Sequence, residues 1–343
     1  MQKTPLSWKA KLGLVLFGVV LSLICLEIAS RIFLKAQRGT EFGSLNELRS
    51  VMLKGDDAGK GASNSEVGNS SNLRGLVAPH PDDKIIFDLL PNHELIFQRA
   101  PVKLNSFGMR SPERPVYKEQ STFRIALLGD SFAFGWGVKQ EESFAQVLED
   151  TLNRISKGKP RFEVLNFGTP GYSTFQEVAK FKEIGLDFQP DAVLVFFIEN
   201  DFGLPFYVRD IYNPGSMLSA MSFARLTWQA IDPKIEEQKL QLTAYDPNKA
   251  LADLSEVCRK LSIPLYFTIN PKKNWQGLKR KLWVLKERPD IKFITMRPDF
   301  QKVIEDYKIP EKDLTLSFDP HPSPIRHKIY GELLAPSFME YIK

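Results

Sequence analysis

The chain holds 343 residues, 43% of them hydrophobic and 25% charged; these are ordinary globular proportions and exclude wholesale disorder or a polytopic membrane protein. Lysine plus arginine total 46 against 41 aspartate plus glutamate, a net charge of +5 that does not by itself point to nucleic acid. Two cysteines exclude a disulfide scaffold and any multi-cysteine metal site, and the four histidines, His80, His93, His321 and His327, leave few candidates for a catalytic base.

Leu12 to Leu26 is an almost unbroken apolar run between Lys3, Lys9, Lys11 and Arg31, Lys35, Arg38. A spanning helix takes ~20 residues, a length reached if Ile28, Ile32, Phe33 and Leu34 continue it. Ala29-Ser30-Arg31 matches a signal-peptide cleavage site poorly. Residues 1–38 are therefore read as a retained N-terminal transmembrane helix, which makes the protein a single-pass membrane protein. The flanking charge is nearly balanced and does not orient it. Residues 39–79, rich in Gly, Ser, Asn and Asp, read as a flexible linker. Residues 80–121 read as a lead-in of short strands and turns.

From Phe123 apolar runs of strand length (RIALLG, FEVLNF, AVLVFFI, PLYFTI, IKFITM) alternate with amphipathic helices near 142–156, 175–188, 248–261, 300–307 and 324–341. Continuous rather than alternating apolar strands imply a sheet covered on both faces. The expected fold class is α/β, a doubly wound, mostly parallel sheet flanked by helices, over residues 122–343. The alternation breaks at 202–246, which reads as an insertion at the sheet rim with a helix near 217–230.

In such sheets ligands sit beyond the carboxyl ends of the strands. RIALLG leads into Gly129-Asp130-Ser131, where a serine can hold its hydroxyl at the sheet edge or simply cap a helix. FEVLNF leads into Gly168-Thr169-Pro170-Gly171, a glycine turn that can present a backbone N–H. AVLVFFI leads into Glu199-Asn200-Asp201, and an asparagine amide there is a neutral donor. Far downstream, Asp319-Pro320-His321-Pro322 precedes the last helix. No Gly-x-Ser-x-Gly elbow and no phosphate-binding GxxxxGKS loop is present.

GDSFAFGWGV, NFGTPGYST, PDAVLVFFIEND and DPHPSPIRH, in this order over 123–343, resemble the four blocks of the SGNH (GDSL-type) hydrolase superfamily. NSFGMRSPE (105–113) resembles the lead-in of its bacterial membrane-anchored members. The resemblance implies Ser131 as nucleophile, His321 as base and Asp319 as the acid that orients it. It also implies an oxyanion hole made of the Ser131 N–H, the Gly171 N–H and the Asn200 amide, with no cofactor and no metal. Two positions depart from the family pattern. Ile198 stands where a glycine is usual, and Phe318 stands where the acid usually lies, so Asp319 is only two residues before His321. His327 is the rival base, read as structural inside the last helix.

The resemblance implies a serine-dependent ester hydrolase or acyltransferase working through an acyl-enzyme. Its expected partners are an ester-bearing substrate, extending to O-acetylated glycan, and the membrane through the N-terminal helix, but not nucleic acid. The anchor and linker would place the domain at a bacterial envelope, on the extracytoplasmic side. A lipase or thioesterase walled by the insertion and a non-catalytic glycan-binding or assembly factor are the alternatives. Lys272, Lys273, Lys279, Arg280, Lys281, Lys286 and Arg288 read as a solvated basic helix face, salt-sensitive if it binds an acidic polymer.

Overall fold

The computed structural model describes Trp8 and residues 13–22, 69–70, 73–82, 84–202 and 246–342. The lead-in carries short strands β1 (Asn69–Ser70), β2 (Val77–Pro79), β3 (Phe87–Leu89), β4 (Glu94–Phe97) and β5 (Ala100–Lys103). β2 and β3 pair antiparallel, as do β4 and β5, while β1 lies parallel to β4. Order begins before His80, because Leu73, Leu76 and Val77 are buried with Phe87, Phe97 and Val102 in one apolar cluster. That cluster also takes in Phe134 and Tyr172, so the lead-in shares a core with the domain that follows.

β6 (Thr122–Leu128), β7 (Arg161–Asn166), β8 (Ala192–Phe197), β9 (Leu265–Ile269) and β10 (Ile291–Ile294) form a parallel sheet in the order β10-β9-β8-β6-β7. The chain starts at β6, next to one edge, places β7 at that edge, then crosses back and adds β8, β9 and β10 outward to the other edge, the crossover pattern of a doubly wound sheet. Successive side chains alternate between two dry faces. Ile125, Leu127, Leu194 and Phe196 enter one core, and Ala126, Leu128, Val193 and Val195 enter the other. This explains the unbroken apolar runs: neither face meets water.

Helix α1 (Ser131–Phe134) follows β6, α2 (Phe144–Ser156) leads to β7, and α3 (Thr174–Glu183) lies between β7 and β8. Then come α4 (Pro247–Lys260), α5 (Trp275–Lys281), α6 (Val284–Glu287), α7 (Arg297–Asp306) and α8 (Pro324–Leu334). The basic stretch thus holds two short helices, α5 and α6. A small antiparallel pair, β11 (Thr315–Leu316) and β12 (Asp319–Pro322), precedes α8. Arg124, fully buried on β6, donates to Glu163 at 2.8 Å and to the carbonyls of Pro115, Val116 and Phe188. It sews the end of the lead-in to the sheet.

The N-terminal expectation is corrected. Among the described residues no helix is long and apolar enough to cross a membrane. The part of the apolar run that the structure describes, 13–22, is helical. The transmembrane helix, the single-pass extracytoplasmic localisation and the membrane as partner rested on that span, and the likeness to membrane-anchored members, read from residues 105–113, loses its anchor with it. None of them is carried further. Residues 23–38, which would have completed it, and 203–245, read as the insertion, lie outside the described residues.

Candidate active site

Ser131 opens α1 at the carboxyl end of β6, an interior strand of the sheet. Asp130 caps the turn, its carboxylate accepting the Phe132 N–H at 3.0 Å. Asn166 braces the turn from the neighbouring strand, donating to Ala133 O at 2.8 Å and accepting the Gly168 N–H at 2.9 Å. Gly168 must be glycine here, because a Cβ would stand 2.5 Å from Phe134 N and 2.7 Å from Ala133 C. The close approach of the two loops depends on that missing side chain.

His321, on β12, lies with Nε2 2.8 Å from Ser131 Oγ. Its Nδ1 meets Asp319 Oδ1, which also accepts the His321 backbone N–H at 2.9 Å. With only Pro320 between acid and base, one carboxylate oxygen holds both the ring and the main chain of the histidine. An ionised Asp319 accepts at Nδ1–H, which leaves Nε2 as an acceptor for the serine proton. Ser131 Oγ also lies 3.2 Å from Asp130 Oδ2. A hydroxyl has one proton, and the shorter contact gives it to His321.

Burial pushes the Asp319 carboxyl up, but the His321 hydrogen bonds, its charge and the nearby Trp136 indole outweigh this and bring it below the ordinary value. Trp136 lies flat on the His321 ring, 4.6 Å between centroids and 14° between planes. Phe97 packs edge-on against the other side of the indole at 4.7 Å. A π-face over an imidazole stabilises its charged form.

Asn200 sits on a 3-10 turn, Glu199–Phe202, straight after β8. Asp201 closes this turn twice, accepting the Ile198 N–H at 2.6 Å and donating its own N–H to Ile198 O at 3.2 Å. The Asn200 amide donates to Asp130 Oδ2 at 2.9 Å, the oxygen beside Ser131 Oγ. Its second N–H remains available. Gly171 has φ +84°, and its loop is pinned by the Thr169 N–H to Gly129 O at 3.1 Å. Among the described residues, the N–H groups of Ser131 and Gly171 have no acceptor. Ser131, His321, Asp319 and Asn200 therefore meet through direct contacts or the shared Asp130. Gly171 is joined to them only through the neighbouring loop.

Three buried acids lie behind the serine. Desolvation raises Asp130; desolvation, then repulsion from Asp201 and Asp130, raises Glu177 well above the ordinary range; and desolvation, then repulsion from Asp130, does the same to Asp201. Both Glu177 carboxyl oxygens lack a partner among the described residues, as suits neutral carboxyls.

His327 is inside α8, fully buried and stacked on Phe144, whose backbone N–H it accepts at 3.2 Å. Burial, then the charges of Arg110, Arg326 and His321, lower its pKa to about 3. It is a neutral packing group, and its occupied Nδ1 is no rival base. Between that value and 6.5 the unfolded chain holds a proton that the folded chain does not. Stability from this residue is then complete above pH 6.5 and declines by about 1.4 kcal/mol per pH unit as the pH falls toward 3. We expect the melting temperature to drop over that acid window, and the drop to be shallower in His327→Gln. An identical acid slope in the variant would assign the decline to the carboxyls instead. His80 pairs with Glu183 and His93 reaches Gly75 O, so both serve the lead-in.

Two contributors escaped the sequence reading. Trp136 lies within the quoted serine block but carries no signal of its own. Arg110, in the lead-in phrase, reaches across to the carbonyls of Phe134 and Gly135 at the end of α1, Val138 at 2.6 Å and Pro101 at 3.0 Å. Burial lowers its pKa to about 10, so it stays charged near neutrality. We expect Arg110→Met to cost ~2–4 kcal/mol in urea unfolding, because four carbonyls lose a charged donor while the desolvation cost of the charge is also removed. A loss below ~0.5 kcal/mol, the range of an ordinary surface change, would mean those carbonyls find other partners.

No family profile matches the chain, and no curated protein does. Among solved structures it is similar to a lipase/acylhydrolase from Enterococcus faecalis, with 13% identity, 64% of this chain and 97% of that chain covered, and a TM-score of 0.41. It is also similar to the psychrotrophic esterase EstA from Pseudoalteromonas sp., with 12% identity over 64% and 97% of the two chains and a TM-score of 0.39. A catalytic mutant of an acetylxylan esterase from Geobacillus stearothermophilus gives 16% identity over 64% and 94%, with a TM-score of 0.40.

Proposed function

We propose that this protein is a serine-dependent ester hydrolase. The observation that carries the reading is the continuous Asp319–His321–Ser131 relay at the carboxyl end of β6, with Ser131 Oγ 2.8 Å from His321 Nε2. Ser131 Oγ attacks the ester carbonyl as its proton passes to His321 Nε2. Asp319 holds the resulting imidazolium, and Trp136 covers its face. The tetrahedral oxyanion is taken by the Ser131 and Gly171 N–H groups and the free N–H of Asn200, donors that are worth most when fixed in advance. His321 then returns the proton to the leaving alkoxide, and the acyl-enzyme is released by water entering along the same path. A sugar hydroxyl in place of water would make the same site an acyltransferase.

Phe132 and Trp136 flank His321 at centroid distances of 5.5 and 4.6 Å, and the acyl group we propose for the site is a short one such as acetyl. The test compares purified protein on chromogenic acetate and long-chain acyl esters of one alcohol. Faster turnover of the acetate supports the reading, faster turnover of the long chain makes the protein a lipase or thioesterase, and turnover of neither overturns the enzyme reading.

A further inference from the structure

Arg326, on α8, is a buried guanidinium that no carboxylate answers. Only 9% of the residue is exposed, and among the described residues it forms no ion pair. Its Nε donates to Tyr330 Oη, its second nitrogen, Nη2, donates to Asn270 Oδ1 at 3.1 Å, and Tyr330 Oη donates to the same Asn270 oxygen at 2.7 Å. Phe300 and Tyr330 lie against the guanidinium at 5.6 and 5.4 Å. Nη1 has no partner among the described residues. Asn270 is only 1% exposed, and its Nδ2 is buried without an acceptor. Because Oδ1 is occupied by two donors, the amide orientation is determined, and Nδ2 is a true unfilled donor.

These groups stand on the rim that carries the candidate active site. Asn270 directly follows β9, and its backbone N–H donates to Phe197 O at 2.9 Å, at the end of the strand leading to Asn200. Arg326 lies five residues beyond His321. The surroundings are positive: Arg297 donates to Pro271 O at 2.8 Å and has no ion pair among the described residues, and the exposed Lys272 and Lys273 follow. A buried charge without a partner is costly, and ring faces compensate it only in part. A guanidinium edge that no carboxylate engages among the described residues is suited to an anionic oxygen group, and Asn270 holds its other edge in place.

We infer that Arg326 and Asn270 form a subsite for an anionic oxyacid group, a carboxylate or a phosphate, carried by the ester substrate beside the bond to be cleaved. The assignment rests on the esterase reading for its purpose but not for its binding chemistry. The substrate class is thus an acylated acid, such as an acetylated uronate or an acyl phospho-sugar, rather than a neutral ester.

The test uses the full chain with Ser131→Ala, so that turnover plays no part, and calorimetric titration at low salt with inorganic phosphate, galacturonate and neutral galactose. We expect saturable binding of at least one anion and none of galactose, with phosphate or galacturonate alone naming the source of the oxyacid. Adding Asn270→Asp supplies Arg326 with an internal counter-ion at unchanged side-chain size, and binding should weaken at least tenfold. Arg326→Gln should do the same, and if it fails to fold the aspartate variant decides. No saturable anion binding, equal binding of galactose, or full binding by Asn270→Asp overturns the subsite. A protein that binds anions but hydrolyses no ester would overturn the function above and leave the subsite standing.

Discussion

Ser131→Ala is expected to lower kcat on a chromogenic acetate ester by ~10⁴–10⁶-fold, the scale seen when a nucleophile is removed from a working triad. The physical reason is local. Among the described residues, Ser131 Oγ is the one hydroxyl within hydrogen-bond reach of His321 Nε2. The variant should fold as the parent does, because the α1 cap is the Asp130 carboxylate and not the serine hydroxyl. A fluorophosphonate probe should label the parent at Ser131 and leave the variant unmodified, as read by intact mass. Unchanged hydrolysis by pure variant, or equal labelling of both, would sink the serine mechanism.

The second large effect concerns the acid. Asp319→Asn is expected to lower kcat by ~10⁴-fold with little change in KM, because an amide offers an N–H toward Nδ1 and favours the tautomer that carries its proton on Nε2. That tautomer cannot accept from Ser131. Asp319 is the only carboxylate in contact with the His321 ring among the described residues, whereas Asp130 contacts Ser131, Phe132 and Asn200. The matching Asp130→Asn change should therefore cost stability of the serine turn more than it alters the pH profile. A fall of less than tenfold in Asp319→Asn would transfer the role to another group.

Asp319 departs from the usual spacing of the family, and the structure places it against His321. A pattern built on a three-residue spacing points to Phe318, yet Phe318 lies under the Arg99 guanidinium at 4.1 Å, while Asp319 faces the imidazole. Two residues suffice because β12 is extended there, and Asp319 Oδ1 can reach both the backbone N–H and the ring of His321. The strand-length apolar runs were legible because burial on both faces makes most positions apolar; the buried interruptions, Arg124 and Glu163, answer each other. The N-terminal run shows the opposite case. Hydrophobicity alone suggested a span, but an apolar stretch is evidence of a membrane helix only when the helix is long enough, and among the described residues no helix is long and apolar enough.

Arg110 and Trp136 were illegible because their roles depend on partners distant in sequence. Arg110 binds carbonyls of Phe134, Gly135 and Val138, and a carbonyl leaves no mark in a sequence. Trp136 acts through a flat stack on a ring that lies on another element. The sequence by itself determined the alternation of strands and helices, the serine, asparagine and histidine loops at strand ends, and the acid beside the base. These follow from periodicity and from short-range spacing. Only the tertiary structure decided that the lead-in shares the core and clamps the serine turn, that His327 is neutral packing, and that Arg326 lacks a carboxylate partner. Each of those outcomes depends on which side chains fold against one another across long stretches of chain, and local pattern carries no record of that.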